Sequence, residues 1–514
     1  MTTSSRKFFG LKPATTLILA GLLILGAILR LIDITDPPLG FHPTRQLRST
    51  LIARDVYYQI LPDADPEKQA LAESFANRLG IYEPPIFETL VGWTYLWTGG
   101  ESIVVPRVYN TIFWLLAGLA LFGLARRLSS EEAALVSLAF FLILPFGVEA
   151  SRSFQPDPLM TSLFIGGFYL LYRWTEEKGW KLALLSAFLL GLATLVKISI
   201  VFFVAPIAIV AVLSVYLPPH SEGFSPYSVE RAKALTTRLL KSPQVWAMLL
   251  IMVLPAFAYY ILGIQETSSS FFLDRTVGFT KLLRDSKFYL LWMRLVGSLF
   301  GIAIIYISLF GVLLMPSRGR AMLIGTWIGY ILYGFSLPFF IHTHSYYHIQ
   351  LTPIIALGIA PIAQGIITQA QRQGRFWRVL LISLALIAVA YNAWVARSLL
   401  LSKNFRFEAL VWKNIADEIP EDYDTIALTQ DYGYRIMTYG WRNVSLWKLS
   451  TGGLKVNDNE VDAIAEFKKR TEGKEFFLVT AFGQYNKQPD LKEILSHYPL
   501  LGEDNDDFLL FDLR

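Results

Sequence analysis

The sequence predicts an α-helical polytopic membrane protein of about eleven transmembrane helices, followed by a small C-terminal α/β domain. Three observations support this fold class. The 514-residue chain is 54% hydrophobic and only 17% charged, which is too little charge to cover a soluble protein of this size. Apolar stretches long enough to cross a bilayer recur along roughly the first 400 positions. After them, strand-like and helix-like segments alternate.

Composition also narrows the function classes. The mean hydropathy is +0.43. The formal net charge of +5 is small and says little about nucleic acid. No nucleic-acid partner is predicted, and membrane lipids are the expected surroundings. The chain contains no cysteine, which excludes disulfides, thiolate chemistry and cysteine-based zinc sites.

The predicted membrane helices are stretches without Asp, Glu, Lys or Arg. These stretches are residues 14–29, 108–125, 133–148, 158–172, 182–196, 200–216, 244–263, 296–315, 321–341, 349–368 and 379–395. The break between the fifth and the sixth depends on Lys197 alone, so the predicted count carries a margin of one. The first stretch lacks a small-x-small cleavage site and is therefore predicted to be an uncleaved signal-anchor.

The distribution of Lys and Arg predicts the orientation. With a cytoplasmic N-terminus, the inside loops hold Arg126/Arg127, Lys178/Lys181, residues 231–241, Arg318/Arg320 and Arg372/Arg375/Arg378. Each of these loops is rich in basic residues, as the positive-inside rule requires. An odd number of helices then places the C-terminus outside. In a bacterial cell the protein would lie in the plasma or inner membrane.

Two predicted domains follow from this topology. Residues 1–397 form the transmembrane domain, whose long outer loop 31–107 carries amphipathic helices. In residues 45–61, Leu47, Leu51, Tyr58 and Leu61 recur at helical spacing, with Arg45 and Arg48 on a polar side.

Residues 398–514 form the extracytoplasmic α/β domain. Its predicted strands are 425–429, 475–482 and 507–513, and its predicted helices are 407–419, 461–470 and 491–498. Alternation of this kind is typical of a small α/β fold.

Several local patterns along residues 14–395 occur in the order typical of one superfamily. They are Asp36-Pro37-Pro38, Tyr82-Glu83-Pro84-Pro85, Val105-Pro106-Arg107, Ser151-Arg152 with Asp157, Gly191 to Lys197, and His344-Ser345-Tyr346-Tyr347-His348 before Pro353. Together they resemble the GT-C membrane glycosyltransferases, especially the protein O-mannosyltransferase and aminoarabinose-transferase type.

The resemblance implies transfer of a sugar from a polyprenyl-phosphate carrier to an acceptor on the extracytoplasmic side. The acceptor can be a lipid, a protein or a glycan. The donor phosphate would need cations at headgroup depth, and charge-assisted hydrogen bonds suit that task. The candidates for phosphate binding are Arg45, Arg48, Arg152, Lys197 and Arg275.

The chain departs from this family in the first outer loop. Typical members carry an Asp there as the general base, whereas residues 40–46 of this chain contain no carboxylate. His42 is one substitute, because imidazole titrates near neutrality. Glu83 and Glu88 flank the Pro-Pro element, and Asp157 lies in a family motif. The catalytic candidates are Glu83, His42 and Asp157, with Glu88 assigned to substrate binding.

Histidines and tyrosines are expected at the mouth of the groove. His344 and His348 would share one helix face at i, i+4 spacing, which can bind a metal. No HExxH-like pattern accompanies them, so substrate hydrogen bonding by His344, Tyr346, Tyr347 and His348 is the favoured interpretation. No metal site is assigned, and dependence on a divalent cation stays open.

Two alternatives compete with an enzyme. The missing Asp favours a non-catalytic relative that binds or presents a glycolipid. A transporter of lipids or solutes is the other alternative, but the apolar stretches contain no ionisable residue at mid-depth, and ion-coupled transporters usually need one.

Overall fold

The protein is described from a computed structural model, which covers residues 11–80, 83–217, 229–263, 279–420, 423–449, 463–501 and 507–514. Arg275 and Tyr82 lie outside these described residues. The chain forms two compact units. The first contains residues 1–34, 81–87 and 104–402, and the second contains residues 35–80, 88–103 and 403–514. The domain boundary predicted at residue 397 stays a prediction.

The first unit consists of helices. Its α-helices are Pro13–Leu31, Val104–Leu128, Glu131–Ile143, Pro145–Arg152, Pro156–Glu177, Trp180–Val196, Val201–Tyr216, Val229–Leu240, Pro243–Phe257, Ser286–Phe300, Ile302–Leu313, Ser317–Ser336, Pro338–Thr343, Leu351–Gln373 and Arg375–Leu401. Short 3-10 helices occur at Ile198–Ile200, Thr280–Arg284 and Ser345–His348, and a π-helix at Ala258–Gly263. All eleven predicted stretches fall on these helices.

Fewer than eleven helices have the length and apolarity of a complete span. Within the described residues, six helices pass that criterion, and up to eight pass if each bent pair counts as one span. Of the other three predicted stretches, two lie in Pro156–Glu177 and Trp180–Val196, and the third runs from Ser317–Ser336 into Pro338–Thr343. The protein is thus an integral, multi-pass membrane protein, with a mixture of long, bent and short helices.

Two stretches predicted as continuous helices are bent. The helices Glu131–Ile143 and Pro145–Arg152 meet at 57°, because Leu144 precedes a proline and takes an extended conformation (φ −50°, ψ 122°). The helices Ser286–Phe300 and Ile302–Leu313 meet at 87°. Gly301 makes this corner at φ +80°, a conformation that residues with a Cβ rarely adopt.

Glycine allows two membrane helices to touch. A Cβ on Gly311 would lie 1.9 Å from the carbonyl oxygen of Gly358. Small residues at such crossings let helix backbones approach closely, which is how membrane helices pack without a hydrophobic driving force.

The second unit combines helices with a sheet. Its α-helices are Pro43–Ile60, Pro66–Arg78, Ile86–Thr98 (which begins in the first unit), Glu408–Asp417, Ala463–Thr471, Phe482–Tyr485 and Pro489–Leu495. A 3-10 helix covers Asp431–Gly433 and a π-helix covers Ile436–Gly440. Helices therefore form in the predicted outer loop.

The polar side predicted for the helix Pro43–Ile60 is wrong at Arg48. Leu47 and Leu51 are fully buried as expected, but Arg48 is also buried, at 7% exposure. Its Nη2 donates to the carbonyl oxygen of Gly80 at 2.6 Å. A guanidinium can be buried when backbone carbonyls satisfy it, and sequence spacing does not show such a partner.

The sheet has five strands in the order β2-β1-β3-β5-β4. The strands are β1 Thr425–Leu428, β2 Ser445–Leu446, β3 Phe476–Val479, β4 Leu500–Leu501 and β5 Leu509–Asp512. β1 pairs in parallel with β2 and β3, whereas β5 runs antiparallel to β3 and β4. The predicted small α/β region is confirmed, and the two-residue strands β2 and β4 were not predicted.

Both faces of the sheet are covered. Ala427, Phe476 and Leu478 pack in one core with Trp412, while Ile426, Phe477 and Val479 pack in another with Phe467. This burial explains the continuous apolar runs of β1 and β3, since a strand covered on both faces shows no polar alternation.

Candidate active site

Lys197 is the centre of the candidate site in the first unit. It lies at the break between the helix Trp180–Val196 and the 3-10 helix Ile198–Ile200, in extended conformation (φ −156°, ψ 112°). Only 4% of the residue is exposed. A buried ammonium is costly unless opposite charge compensates it, so its neighbours define the chemistry of the site.

Asp157 is the nearest of these neighbours. Lys197 Nζ donates to Asp157 Oδ1 at 2.7 Å, and the Asp157 side chain is 1% exposed. Asp157 lies in the first turn of the helix Pro156–Glu177, with Pro156 preceding it. The positive end of the helix dipole favours a carboxylate at this position.

Glu83 supplies a second carboxylate. Its Oε1 lies 3.8 Å from Lys197 Nζ, an ion-pair distance that exceeds a hydrogen bond, and its side chain is 12% exposed. Glu83 precedes Pro84, which restricts its backbone to extended conformations. The Pro-Pro element thus limits where the carboxylate can lie.

Two tyrosine rings face the same ammonium. Lys197 Nζ lies 5.1 Å from the ring centroid of Tyr346 and 4.9 Å from that of Tyr347, within cation–π range. Tyr347 also stacks on Phe340 at 5.3 Å. The lysine cluster, defined here as Glu83, Asp157, Lys197, Tyr346 and Tyr347, therefore unites five of the residues selected from the sequence.

Arg152 contacts a different part of the first unit. Its guanidinium donates to the carbonyl oxygens of Ile32 and Asp33, just after the first helix ends at Leu31. Arg107 donates to the carbonyl of Ile34 at 2.8 Å. Cations at a helix C-terminus satisfy its unpaired carbonyls. Arg107 was not among the predicted site residues, although its Val-Pro-Arg motif had been noticed.

These two arginines hold an unusual backbone conformation. Asp33 has a φ of +50°, which is uncommon for a residue with a side chain and costs free energy unless the surroundings impose it. The bonds of Arg152 and Arg107 to residues 32–34 provide that constraint.

The part of the chain that contains the three charged residues of the lysine cluster matches a known family. Residues 83–223 match the family described as dolichyl-phosphate-mannose-protein mannosyltransferase. Glu83, Asp157 and Lys197 all fall within this stretch. Among curated proteins, none matches the chain.

Solved structures give the fold over almost the whole chain. ArnT from Cupriavidus metallidurans, bound to undecaprenyl phosphate, is 16% identical with a TM-score of 0.57, and the match covers 96% of this chain and 97% of ArnT. The oligosaccharyltransferase AglB from Archaeoglobus fulgidus, in complex with an inhibitory peptide and a dolichol-phosphate, is 13% identical with a TM-score of 0.54. That match covers 91% of this chain and 69% of AglB.

The protein has the GT-C fold. The resemblance that the ordered motifs indicated is confirmed by the family match and by these structures.

The positions of the histidines differ from the prediction. His344 is extended (φ −122°, ψ 112°) and precedes the 3-10 helix Ser345–His348, so the shared α-helical face predicted for His344 and His348 is wrong. His348 is fully buried. Its Nδ1 lies 2.9 Å from the Tyr330 hydroxyl and its Nε2 lies 2.8 Å from the carbonyl oxygen of Ile341. Both ring nitrogens are therefore used within the protein.

Four further candidates belong to the second unit. His42 precedes the helix Pro43–Ile60 with a φ of +47° and is half-buried. Arg45 is half-buried on the first turn of that helix. Glu88 is buried and accepts a hydrogen bond from Ser49 Oγ at 2.7 Å, and Arg48 is bound to Gly80 as described above. Glu88 and Arg48 thus connect parts of their own unit.

No group of three or more His, Asp or Glu side chains that could hold a metal occurs among the described residues. One structure of the Archaeoglobus fulgidus oligosaccharyltransferase contains zinc and sulfate. Dependence on a divalent cation stays open, and no metal-dependent step is assigned to the lysine cluster.

Proposed function

We propose that this protein transfers a sugar from a polyprenyl-phosphate-linked donor to an acceptor hydroxyl at the outer face of the membrane. The observation that carries the proposal is the buried Lys197 ammonium between the carboxylates of Asp157 and Glu83. This arrangement occurs in a chain with the GT-C fold, within the stretch that matches a mannosyltransferase family. The structures of ArnT with undecaprenyl phosphate and of AglB with a dolichol-phosphate support a lipid-phosphate donor.

Lys197 is proposed to contact the donor phosphate. An ammonium has three N–H donors, and Asp157 accepts one of them. During transfer the bond from the sugar to the phosphate breaks, and the polyprenyl phosphate gains a negative charge. A fixed cation in a water-poor site stabilises this developing charge more than the ground state, which is how electrostatic catalysis accelerates a reaction.

Asp157 is proposed to position Lys197. Its 2.7 Å hydrogen bond fixes the ammonium, and the first turn of its helix fixes the carboxylate. Preorganisation of this kind avoids the cost of orienting the charge at the moment of reaction.

Glu83 is proposed as the general base. It would take the proton of the acceptor hydroxyl while the acceptor oxygen bonds to the anomeric carbon and the bond to the phosphate oxygen breaks. Attack on the side opposite to the leaving phosphate inverts the anomeric carbon. Glu83 suits this role better than Asp157, because its carboxylate lies at 3.8 Å rather than 2.7 Å from Lys197 Nζ and is the more exposed of the two.

The helix directions support an outer location of the lysine cluster. The helix Pro156–Glu177 begins beside Asp157 and ends beside Lys178, and the helix Trp180–Val196 begins beside Lys181 and ends beside Lys197. Asp157 and Lys197 therefore lie at the same end of this antiparallel pair, opposite to the basic loop. Since basic loops remain in the cytoplasm, the cluster is proposed to face outside.

The test is sugar transfer by the purified protein in nanodiscs, with a panel of radiolabelled undecaprenyl-phosphate sugars and hydroxyl-bearing lipid, peptide and glycan acceptors. We expect Glu83→Gln to lower kcat at least about 100-fold with donor binding retained, because loss of a general base typically has an effect of this size. Assays with and without EDTA measure any dependence on a divalent cation.

Glu132→Gln is the matched control. Glu132 forms a carboxylate–lysine pair with Lys12 at 2.9 Å in the same unit, and its loss should leave kcat unchanged. Wild-type protein that binds the donor without turnover would contradict the proposal and favour a glycolipid-binding protein. Equal activity of wild type and Glu83→Gln would contradict the role of Glu83.

A further inference from the structure

The second unit contains a cavity, and no residue of the lysine cluster lines it. Its volume is about 230 Å³, which is below the roughly 300 Å³ at which pockets for drug-sized ligands begin and suits a single ring. The lining residues are Thr35, Pro37, Pro38, Thr50, Arg54, Tyr95, Glu101, Ser102, Ile103, Thr438 and Tyr439. All of them belong to the second unit.

The charges of this cavity compensate each other. Arg54 Nε lies 2.9 Å and 3.0 Å from the two carboxylate oxygens of Glu101. The other two nitrogens donate to the carbonyl oxygens of Met437 and Thr438 at 2.9 Å and 2.7 Å. The guanidinium also lies 4.1 Å from the ring centroid of Trp441. Because Glu101 pairs with the guanidinium and carbonyl oxygens accept from its other two nitrogens, the cavity has no excess charge to attract an anion.

Thr438 supplies a polar group that the protein leaves unsatisfied. It is 6% exposed, and its hydroxyl has no hydrogen-bond partner among the described residues. A buried polar group without a partner costs about 1–3 kcal/mol. Thr438 lies on the π-helix Ile436–Gly440, and π-helical turns occur frequently at functional sites.

The rest of the lining is mainly apolar and aromatic. Pro37, Pro38, Ile103 and the rings of Tyr95 and Tyr439 supply this surface. Burial raises the pKa of Tyr95, so its phenol stays neutral. Apolar walls with a few placed polar groups are typical of small-molecule sites.

We propose that this cavity binds one uncharged, polyhydroxylated ring, such as a single pyranose unit of a glycan. The C–H face of the ring would pack against Tyr95 and the prolines, while its hydroxyls would bond to Glu101 and Thr438. The compensated charge of Arg54 disfavours uronic acids and phosphorylated sugars. This inference does not depend on the proposed transfer reaction, since it concerns binding alone.

The test is ligand-detected NMR titration of the full chain in nanodiscs with neutral methyl pyranosides, methyl glucuronide and methyl glucosaminide. We expect at least one neutral pyranoside to bind, and both charged sugars to bind more weakly. Thr438→Val removes the hydroxyl and should raise the Kd about 3- to 10-fold, the effect of one hydrogen bond. Ile103→Trp should fill the cavity and abolish binding.

Thr425→Val is the matched control. Thr425 is also buried, at 3% exposure, its hydroxyl has no partner among the described residues either, and it does not line the cavity. The Kd measured with Thr425→Val should equal that of wild type. Thermal melting of each variant checks folding.

Absence of binding by every neutral pyranoside would overturn the proposal. So would a Kd unchanged in both Thr438→Val and Ile103→Trp.

Discussion

Two lysine–carboxylate pairs of the first unit have similar geometry and opposite surroundings. Lys197 and Asp157 are 2.7 Å apart with side chains 6% and 1% exposed, whereas Lys12 and Glu132 are 2.9 Å apart with side chains 65% and 38% exposed. Distance alone does not distinguish them. The two pairs differ in how much of their side chains is exposed to water.

Burial changes what an ion pair contributes to the stability of the protein. An exposed pair contributes about 0–1 kcal/mol and is screened by salt. Burying an ion pair costs several kcal/mol of desolvation per ion. A protein with well-packed apolar residues in place of the pair is therefore often at least as stable. Stability therefore does not explain Lys197 and Asp157, which agrees with the role proposed for them above.

The largest effect on stability is expected for Asp157→Asn. The substitution leaves the Lys197 ammonium buried without its closest carboxylate, which typically costs 3–5 kcal/mol. Glu83 at 3.8 Å recovers part of this, so we expect a loss of about 3 kcal/mol in the free energy of unfolding, measured by reversible denaturation in detergent micelles.

The double variant Lys197→Met/Asp157→Leu separates charge from packing. It should recover most of the lost stability while remaining inactive, because the ammonium and its closest carboxylate are removed together and only the partly exposed carboxylate of Glu83 remains. If Asp157→Asn costs less than about 1 kcal/mol, the buried pair behaves like an exposed one and the comparison fails.

An intermediate effect is expected for Glu101→Gln in the second unit. The side chains of Arg54 and Glu101 are 5% and 23% exposed. After the change, Arg54 still donates to the carbonyl oxygens of Met437 and Thr438 and still contacts the ring of Trp441. We therefore expect a loss of about 1–2 kcal/mol, measured in the same denaturation experiment. A loss larger than that of Asp157→Asn would show that the burial of an ion pair does not determine how much stability its removal costs.

The smallest effect is expected for Glu132→Gln. Both partners are solvated, so the loss should be below about 1 kcal/mol and should vanish near 1 M NaCl, where the screening length is about 3 Å. Denaturation at low and high salt measures this directly. A salt-independent loss would indicate that Glu132 stabilises the protein by packing rather than by charge.

Much of the fold could be predicted from local sequence. The apolar stretches form helices because a bilayer requires internal satisfaction of every backbone polar group. Strands β1, β3 and β5 lie within predicted strand segments, since their apolar runs are short and bounded. The corners at Leu144 and Gly301 were missed, because the stretches that contain them are apolar throughout and hydropathy does not detect a bend.

The site could be predicted only in part. Glu83, Asp157, Lys197, Tyr346 and Tyr347 were selected from the sequence, and their roles stay predictions. Their convergence on one ammonium was not predicted, because it depends on how several helices pack. His348 was assigned to substrate because nothing in the sequence shows that Tyr330 and Ile341 occupy both of its ring nitrogens.

The sequence alone determined the membrane class, the helix positions and the small α/β region, because these depend on periodicity and hydrophobicity along neighbouring residues. The tertiary structure decided which charges are buried, which carboxylate holds Lys197, and which segments of residues 31–107 belong to the unit that contains the sheet. These features depend on contacts between residues distant in sequence. The physical reason is that burial and pairing energies depend on the surrounding atoms, and only the packed chain supplies those atoms.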